Sequence, residues 1–191
     1  MNTPAHLILG AAVFARRAEP RVTIAAYAGA LLPDLSLYLL TGWALFVQRI
    51  PAATVFGTLY FSEPWQRVFA VDNSFLFWGA AFAIGRLRRS DVTVAFTGAG
   101  LLHLVADFLL HHDDARRMFW PLTTWIFRSP VSYWDPQHYG RIVAPIELVC
   151  ALALCVVLWR RIPSVRSRAT VAVLAVAEAA PALAWGAMGL G

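Results

Sequence analysis

Residues 92–110 read VTVAFTGAGLLHLVADFLL, an apolar run that decides the fold class of this chain. A helix rises about 1.5 Å per residue, so a run of this length matches the roughly 30 Å hydrocarbon core of a bilayer. The run nevertheless contains His103 and Asp107, and it leads directly into HHDD at residues 111–114. Ionisable side chains at membrane depth are costly and commonly functional. We therefore predict a membrane-spanning helix that carries part of a functional site.

The rest of the chain has the composition of an integral membrane protein. Of its 191 residues, 59% are hydrophobic, whereas ordinary soluble domains contain about 45–50%. We predict one all-α domain over residues 1–191, a polytopic membrane helix bundle with about five spanning helices and a short N-terminal helix. Pro33-Asp34 lies inside the second segment and predicts a kink or break there. The predicted helical segments are roughly residues 4–15, 22–47, 73–85, 92–110, 142–159 and 169–189.

The basic residues predict how the bundle is oriented. All sixteen are arginines, and ten of them form three clusters between apolar runs, within residues 16–21, 86–89 and 160–168. Cytoplasmic flanks of membrane helices are enriched in Arg and Lys. We therefore expect Arg88 and Arg166 in the cytoplasm, with the loops 48–67 and 111–141 and the C-terminal Gly191 on the other side. Arginines confined to membrane flanks account for the net charge of +5 and argue against a nucleic-acid partner.

Two further stretches bear on the organisation of the chain. The N-terminal MNTPAHLILGAAVFARR has its arginines after the apolar run, unlike a signal peptide, and is expected to stay in the mature protein. The loop 111–141 contains prolines that divide it into short pieces. Tyr and Trp concentrate at membrane interfaces, which predicts an interfacial cap or an aromatic belt without catalytic role. Its aromatic residues include Trp120, Trp125, Tyr133, Trp134 and Tyr139.

Ionisable residues inside the apolar segments share one predicted depth. Counted along each helix from the nearest arginine cluster or flanking charge, they lie about 15–24 Å into the bundle. Groups that meet at one site must share a depth, whereas unrelated polar residues need not. The residues at this level are His6, Asp34, Asp72, His103, Asp107, Glu147 and Glu178.

The spacing of two of these residues and a neighbouring histidine predicts a metal site. His103, Asp107 and His111 are four residues apart and lie on one face of a helix. Imidazole and carboxylate ligands suit Zn²⁺, with Mn²⁺ or Fe²⁺ possible when more oxygen ligands are present. We predict that His6 and Asp34 complete the shell from other helices. A buried hydrogen-bonded His103–Asp107 pair is the alternative.

Two carboxylates are predicted to serve the chemistry rather than the metal. Asp72 or Glu147 would orient the reacting groups or act as a base, and a structural hydrogen-bonding role is the alternative for Glu147. The chain contains no GxSxG, HExxH or P-loop motif, which argues against the common serine, zincin and nucleotide-binding sites.

Several short motifs resemble those of a bacterial inner-membrane family. These are AHLILG at 5–10, LLPDL at 31–35 and LLHLVADF at 101–108, followed by FWPL at 119–122 and FRSP at 127–130. In this order they resemble the YdjM-like family of LexA-regulated, membrane-bound, metal-dependent hydrolases. The resemblance implies a multi-pass protein of the inner (cytoplasmic) membrane with ligands at His6, Asp34, His103 and Asp107.

The chain departs from that family's pattern at two places. Ser36 stands where the family has a second Asp after Pro-Asp, and VDNS at 71–74 aligns with a block that has two histidines in the family. Asp72 or Asn73 is expected to substitute there, or the HHDD stretch to supply ligands. The alternative is that the site has lost a metal ion or that the protein has lost the activity.

These observations predict a membrane-embedded metal-dependent hydrolase for an amphiphilic or lipid-linked ester or phosphoester. A membrane lipid or amphiphile would be its partner, with the oligomeric state open. Two alternatives remain: a non-enzymatic ion or proton transporter, since His and carboxylate chains relay protons, and a structural membrane protein with a buried polar network.

Overall fold

The computed structural model describes residues 1–162 and 164–187, without the side chains of residues 184–187. This part of the chain is helical, with no β-strand, in agreement with the predicted fold class. The helices are α1 (Thr3–Phe14), α2 (Pro20–Gly42), α3 (Ala52–Thr54), α4 (Glu63–Asp72), α5 (Phe75–Leu87), α6 (Asp91–Leu110), α7 (Gly140–Arg161) and α8 (Val165–Ala187).

Four stretches of the described residues are long and apolar enough to cross a membrane. They are Pro20–Val47, Glu63–Leu87, Asp91–Leu110 and Gly140–Arg161. Helix α1 has only twelve residues and is the short N-terminal helix that the sequence predicts. Helix α8 occupies the place of the fifth predicted crossing but is not among the four. Residues 188–191, including Gly191, lie outside the described residues.

Helix α2 passes through Pro33 without a break, so the predicted break at Pro33-Asp34 is wrong, while a kink there stays a prediction. The helix continues to Gly42 and adds a π-helical turn, Trp43–Val47. Proline is tolerated inside a membrane helix when neighbouring groups satisfy the locally disturbed backbone. Proline removes the helical donor to the Gly29 carbonyl, four residues earlier. The Pro33 carbonyl itself accepts additional hydrogen bonds from Asn73 Nδ2 at 3.2 Å and from an Arg116 guanidinium nitrogen at 3.3 Å.

Helix α4 extends the third predicted segment towards the N-terminus, into the predicted loop 48–67. It begins after Ser62, with Glu63 and Pro64 in its first turn, which is a frequent start signal for a helix. Hydropathy alone missed it because its first turns are polar. The helix is interrupted between α4 and α5, where Ser74 caps α5 by accepting a hydrogen bond from the Phe77 N–H at 3.4 Å.

Small residues bring the helices around α1 into close contact. Helix α1 packs against α2, α6, α7 and α8. A Cβ atom on Gly29 of α2 would lie 1.8 Å from the Phe96 carbonyl oxygen of α6, so these two backbones touch. Close packing through glycine and alanine is the usual way for membrane helices to associate. This contact places polar side chains of α6 beside the α2 backbone.

The arginine clusters lie at one end of the bundle, which we call the arginine end. Arg16 contacts Asp91 Oδ2 at 2.6 Å, which joins the first cluster to the turn after the second. Arg161 donates a hydrogen bond to the Ala12 carbonyl at 2.7 Å. The common end agrees with the predicted alternation of the helices. The assignment of this end to the cytoplasm stays a prediction.

Candidate metal centre

Three predicted ligands from two helices meet inside the bundle. His6 comes from α1, and His103 and Asp107 come from successive turns of α6. His6 Nε2 lies 2.8 Å from Asp107 Oδ1, and His103 Nε2 lies 3.1 Å from Asp107 Oδ2. All three residues are at least 98% buried, and their potential ligand atoms lie within 4.8 Å of one another. We call these residues the His–Asp cluster.

The histidine rings of this cluster are stacked face to face. The ring centroids of His6 and His103 are 3.5 Å apart, with an angle of 9° between the planes. Both ring nitrogens of His6 are buried without a hydrogen-bond partner in the described part of the chain. Its Nε2 approaches the Asp107 carboxylate closely, but not in the direction of a hydrogen bond. Buried polar atoms normally have a partner, and both nitrogens are available to bind a metal ion.

The tautomer of His103 is also suited to metal binding. Its Nδ1 lies 2.7 Å from the Ala30 carbonyl oxygen, which can only accept, so Nδ1 carries the hydrogen. In the neutral ring, Nε2 then directs a lone pair towards the Asp107 carboxylate, an arrangement that is favourable when a cation lies between them. Protonating both histidines would instead stack two positive rings. An Nδ1–H bonded to a backbone carbonyl is also the usual support of a metal-binding histidine.

Asp34 lies at the edge of the cluster and is held by two helices. Its Oδ1 is 3.7 Å from His103 Nε2, and its Oδ2 accepts a hydrogen bond from the Thr3 hydroxyl at 2.6 Å. Thr3 precedes His6 by three residues, so both face the same side of α1. The structure therefore brings Asp34 into contact with His103, where it could serve as a further oxygen ligand.

Arg116 places a buried positive charge next to Asp34. The guanidinium lies 3.6 Å from Asp34 Oδ1, donates to Asn73 Oδ1 at 3.0 Å, and lies over the Phe69 ring at 5.2 Å. Burial works against its charged form, but Tyr60 and Asp34 outweigh that effect and raise the pKa of Arg116. The side chain is therefore a permanent cation at the margin of the cluster.

His111 adjoins the cluster but uses both ring nitrogens on carboxylates. Its Nε2 lies 3.0 Å from Asp107 Oδ1, and its Nδ1 lies 2.9 Å from Asp114 Oδ2. Burial works against protonation of this ring, but the charge of Asp107 together with the hydrogen bonds to Asp107 and Asp114 outweighs it, so the pKa of His111 is raised. His111 was predicted as a ligand. In this arrangement it connects the cluster to Asp114, whose side chain is 18% exposed.

The two predicted catalytic carboxylates occupy different surroundings. Within the described residues, the side chain of Asp72 makes no hydrogen bond or ion pair, and it is the adjacent Asn73 that points to Arg116 and Pro33. Glu147 of α7 is buried, accepts a hydrogen bond from the Asn2 N–H at 2.7 Å through Oε1, and leaves Oε2 without a partner in that part of the chain.

The loop after α6 folds back over this end of the bundle. Its backbone bonds to the helices at several points, including the Ser129 N–H to the His111 carbonyl at 3.0 Å and the Phe75 N–H to the Met118 carbonyl at 2.9 Å. Trp125 and Tyr139 of this loop are 54% and 61% exposed. The loop thus covers the cluster and presents aromatic side chains outward, as the predicted cap requires. Its position at a membrane interface stays a prediction.

Sequence reasoning missed three groups at this site. The Met1 amino group donates to Asp107 Oδ1 at 3.1 Å, Thr3 holds Asp34, and Arg116 supplies the buried charge. Thr3 could have been found from its spacing to His6. Arg116 lies in a polar loop, where an arginine is ordinarily solvated, so nothing in its local sequence marks it.

Comparison with protein-family models, curated proteins and solved structures found no match for this chain.

Proposed function

We propose that this chain is a membrane-embedded metal-dependent hydrolase that acts on an amphiphilic or lipid-linked ester. His6, His103 and Asp107 would bind one divalent ion, with Asp34 as an additional oxygen ligand. The observation that carries this proposal is the buried His6 ring, whose nitrogens have no hydrogen-bond partner in the described residues although a carboxylate lies 2.8 Å away.

The donor atoms fit a divalent transition-metal ion. Two imidazole nitrogens and a carboxylate are a common ligand set for catalytic Zn²⁺, and Asp34 as a further oxygen would also suit Mn²⁺ or Fe²⁺. When bound, such an ion would polarise an ester or phosphoryl oxygen and activate water near neutral pH. The fixed tautomer of His103 and the buried position of Asp107 prepare the donor atoms for this role.

Arg116 supports an anionic substrate. Its charge lies next to Asp34 in a buried site, where attraction to an anion is weakly screened. Arginine is also the side chain best suited to phosphate oxygens because its donors form a planar fork. A phosphoester would place its negative charge against this guanidinium and its ester bond towards the His–Asp cluster.

Two groups are suited to handle protons. The path Asp114–His111–Asp107 joins the cluster to the partly exposed loop through contacts of 2.9 and 3.0 Å. We assign proton exchange with solvent to this path. Glu147 keeps a buried oxygen without a partner in the described residues and lies beside the N-terminal segment that contacts Asp107, so we assign it the role of base.

The surroundings of the site favour a substrate that enters from the lipid phase. Four candidate membrane spans surround or flank the cluster, and the covering loop carries exposed aromatic residues. The YdjM-like motifs support the hydrolase class and a bacterial inner membrane.

Turnover of a phospholipid tests the proposal. The purified chain is reconstituted with phosphatidic acid, and released phosphate is measured before and after treatment with a chelator and re-addition of Zn²⁺ or Mn²⁺. We expect turnover that the chelator abolishes and the metal restores. His103→Ala should lose it, whereas His112→Ala, whose ring stacks on His138 in the covering loop, should keep it. Metal-independent turnover, or equal rates in both variants, would argue against the proposal.

The Asp114–His111–Asp107 path also favours a second candidate, an ion- or proton-transporting protein. Chains of carboxylates and imidazoles carry protons through membrane proteins. A transporter would acidify or alkalinise the lumen of proteoliposomes when a pH gradient is imposed, and this flux would stop in His111→Ala without any ester hydrolysis in the wild type.

A further inference from the structure

A cavity at the arginine end lies far from the His–Asp cluster. It has a volume of about 640 Å³ and is formed by the α1–α2 turn, the first turns of α2, the α7–α8 connection and the start of α8. Arg16 is ten residues from His6, so the cavity lies about 15 Å along α1 from the cluster. The cavity is therefore separate from the proposed hydrolytic site.

Positive charge dominates the mouth of this cavity. Arg16, Arg17 and Arg166 line it. Arg16 is paired with Glu19 at 3.0 Å and Asp91 at 2.6 Å, which uses its charge within the protein. Arg17 and Arg166 pair with no acidic side chain in the described residues, so two positive charges face the opening. Of the hydroxyl groups that line it, those of Thr23 and Thr170 donate to backbone carbonyls, whereas Ser167 accepts from Ser164 and keeps its own hydrogen for an anion.

An apolar groove continues from the cavity towards the middle of the bundle. Ile24, Tyr27 and Thr170 line both the cavity and this groove, which has a volume of about 400 Å³. Ile24, Ala28 and Leu31 form one face of α2, and Leu174 faces them from α8. Seven residues from Ile24 to Leu31 give the groove a length of about 10 Å along the helix.

We propose that the cavity and the groove bind one anionic glycerophospholipid, with its phosphate between Arg17 and Arg166 and an acyl chain along Ile24, Ala28 and Leu31. The order of the lining groups along the bundle matches such a lipid. The cationic and hydroxyl groups lie at the end of the candidate membrane spans, and the apolar lining lies deeper. Juxtamembrane arginines attract anionic lipids, and a bound chain would fill space that water would otherwise occupy.

Charge complementarity selects this occupant over a zwitterionic lipid. Phosphatidylcholine would bring a quaternary ammonium next to two arginines, whereas phosphatidylglycerol brings only the negative phosphate. A free phosphate ion would use the arginines but leave the groove empty. The lipid therefore binds to both the arginines and the groove, and neither part alone explains why the two adjoin.

Lipid retention by the purified full chain tests this proposal. Native mass spectrometry after exchange into mixed micelles compares phosphatidylglycerol with phosphatidylcholine of the same acyl chains. We expect one phosphatidylglycerol per chain and at least a tenfold loss of apparent affinity in Arg17→Gln/Arg166→Gln. The control Arg86→Gln/Arg88→Gln removes the same charge at the same end, outside the cavity, and should change the affinity less than twofold.

A second variant separates the groove from the charges. Ala28→Phe fills the groove without altering charge and should also weaken retention, whereas inorganic phosphate should not displace the lipid. Circular dichroism of each variant verifies that it is folded. Equal retention of both lipids, equal loss in the two double variants, or displacement by inorganic phosphate would overturn the proposal.

Discussion

The rings of His6 and His103 stack at a centroid distance of 3.5 Å, although they belong to the first and the sixth helix of the chain. Asp107 contacts both rings through different carboxylate oxygens. Two positive rings at this stacking distance would repel each other, and Nε2 of a neutral His103 directs a lone pair at the Asp107 carboxylate. A divalent cation bound by the three side chains would relieve this contact, and we propose that the stacked rings bind one.

The close contact of α2 and α6 is expected to be sensitive to a single methyl group. In Gly29→Ala the new Cβ would overlap the Phe96 carbonyl, which cannot move without its helix. We expect a loss of about 1–3 kcal/mol in the free energy of unfolding, the usual cost of overpacking. Gly42→Ala, with nothing within 4 Å of the new Cβ, is the control and should stabilise the helix by about 0.5–1 kcal/mol. Unfolding in detergent measures both, and equal midpoints would contradict the packing argument.

Arg116 is expected to support the fold as well as the site. Arg116→Gln leaves Asp34 buried without its cation and should lower the free energy of unfolding by about 3–5 kcal/mol, as for other broken buried pairs. The neighbouring Arg117→Gln breaks a pair with Glu63, whose side chain is 50% exposed, and should cost about 0–1 kcal/mol. Chemical unfolding curves of the two variants provide the measurement. A loss in Arg116→Gln no greater than in Arg117→Gln would show that Arg116 is not a structural cation.

The end of the covering loop should lose stability in acid. The hydrogen bond from His138 Nδ1 at 2.6 Å, followed by the Gln137 N–H, lowers the pKa of Asp135. A carboxylate with a lowered pKa in the folded state contributes stability above its unfolded value of about 3.9, and this contribution disappears as pH falls through the lowered folded value.

Thermal unfolding between pH 3 and pH 7 measures this effect. The wild type should lose midpoint temperature below about pH 4, the range set by the ordinary Asp pKa. Asp135→Asn should be less stable at pH 7 and should show a smaller loss on acidification. Identical acid dependence in the two proteins would place the titrating group elsewhere.

The sequence predicted much of the site because helix geometry alone relates depth to residue number. The i, i+4 spacing of His103 and Asp107 placed them on one face of α6, and their depth matched that of His6 and Asp34. Arg116 could not be predicted, because its burial depends on how an irregular loop folds back onto α2. Helix α4 was not predicted, because its first turn is polar and a hydropathy count takes no account of capping residues. The continuity of α2 through Pro33 was not predicted, because the local rule for proline favours a kink or a break.

Metal content of the purified protein tests the central claim most directly. Elemental analysis is made on wild type, His6→Ala, His103→Ala, Asp107→Ala and His112→Ala, each purified without chelator and verified as folded by circular dichroism. His112 donates from Nδ1 to the Ser129 carbonyl at 2.6 Å, and its ring stacks on His138, away from the cluster. It therefore provides the matched control. Histidine binds metal only when neutral, so bound metal should also be lost in acid.

The account predicts one divalent ion per chain in the wild type and in His112→Ala, and none in folded His6→Ala, His103→Ala or Asp107→Ala. A wild type without metal even after incubation with Zn²⁺, Mn²⁺ or Fe²⁺, or the same metal content in all five proteins, would contradict it.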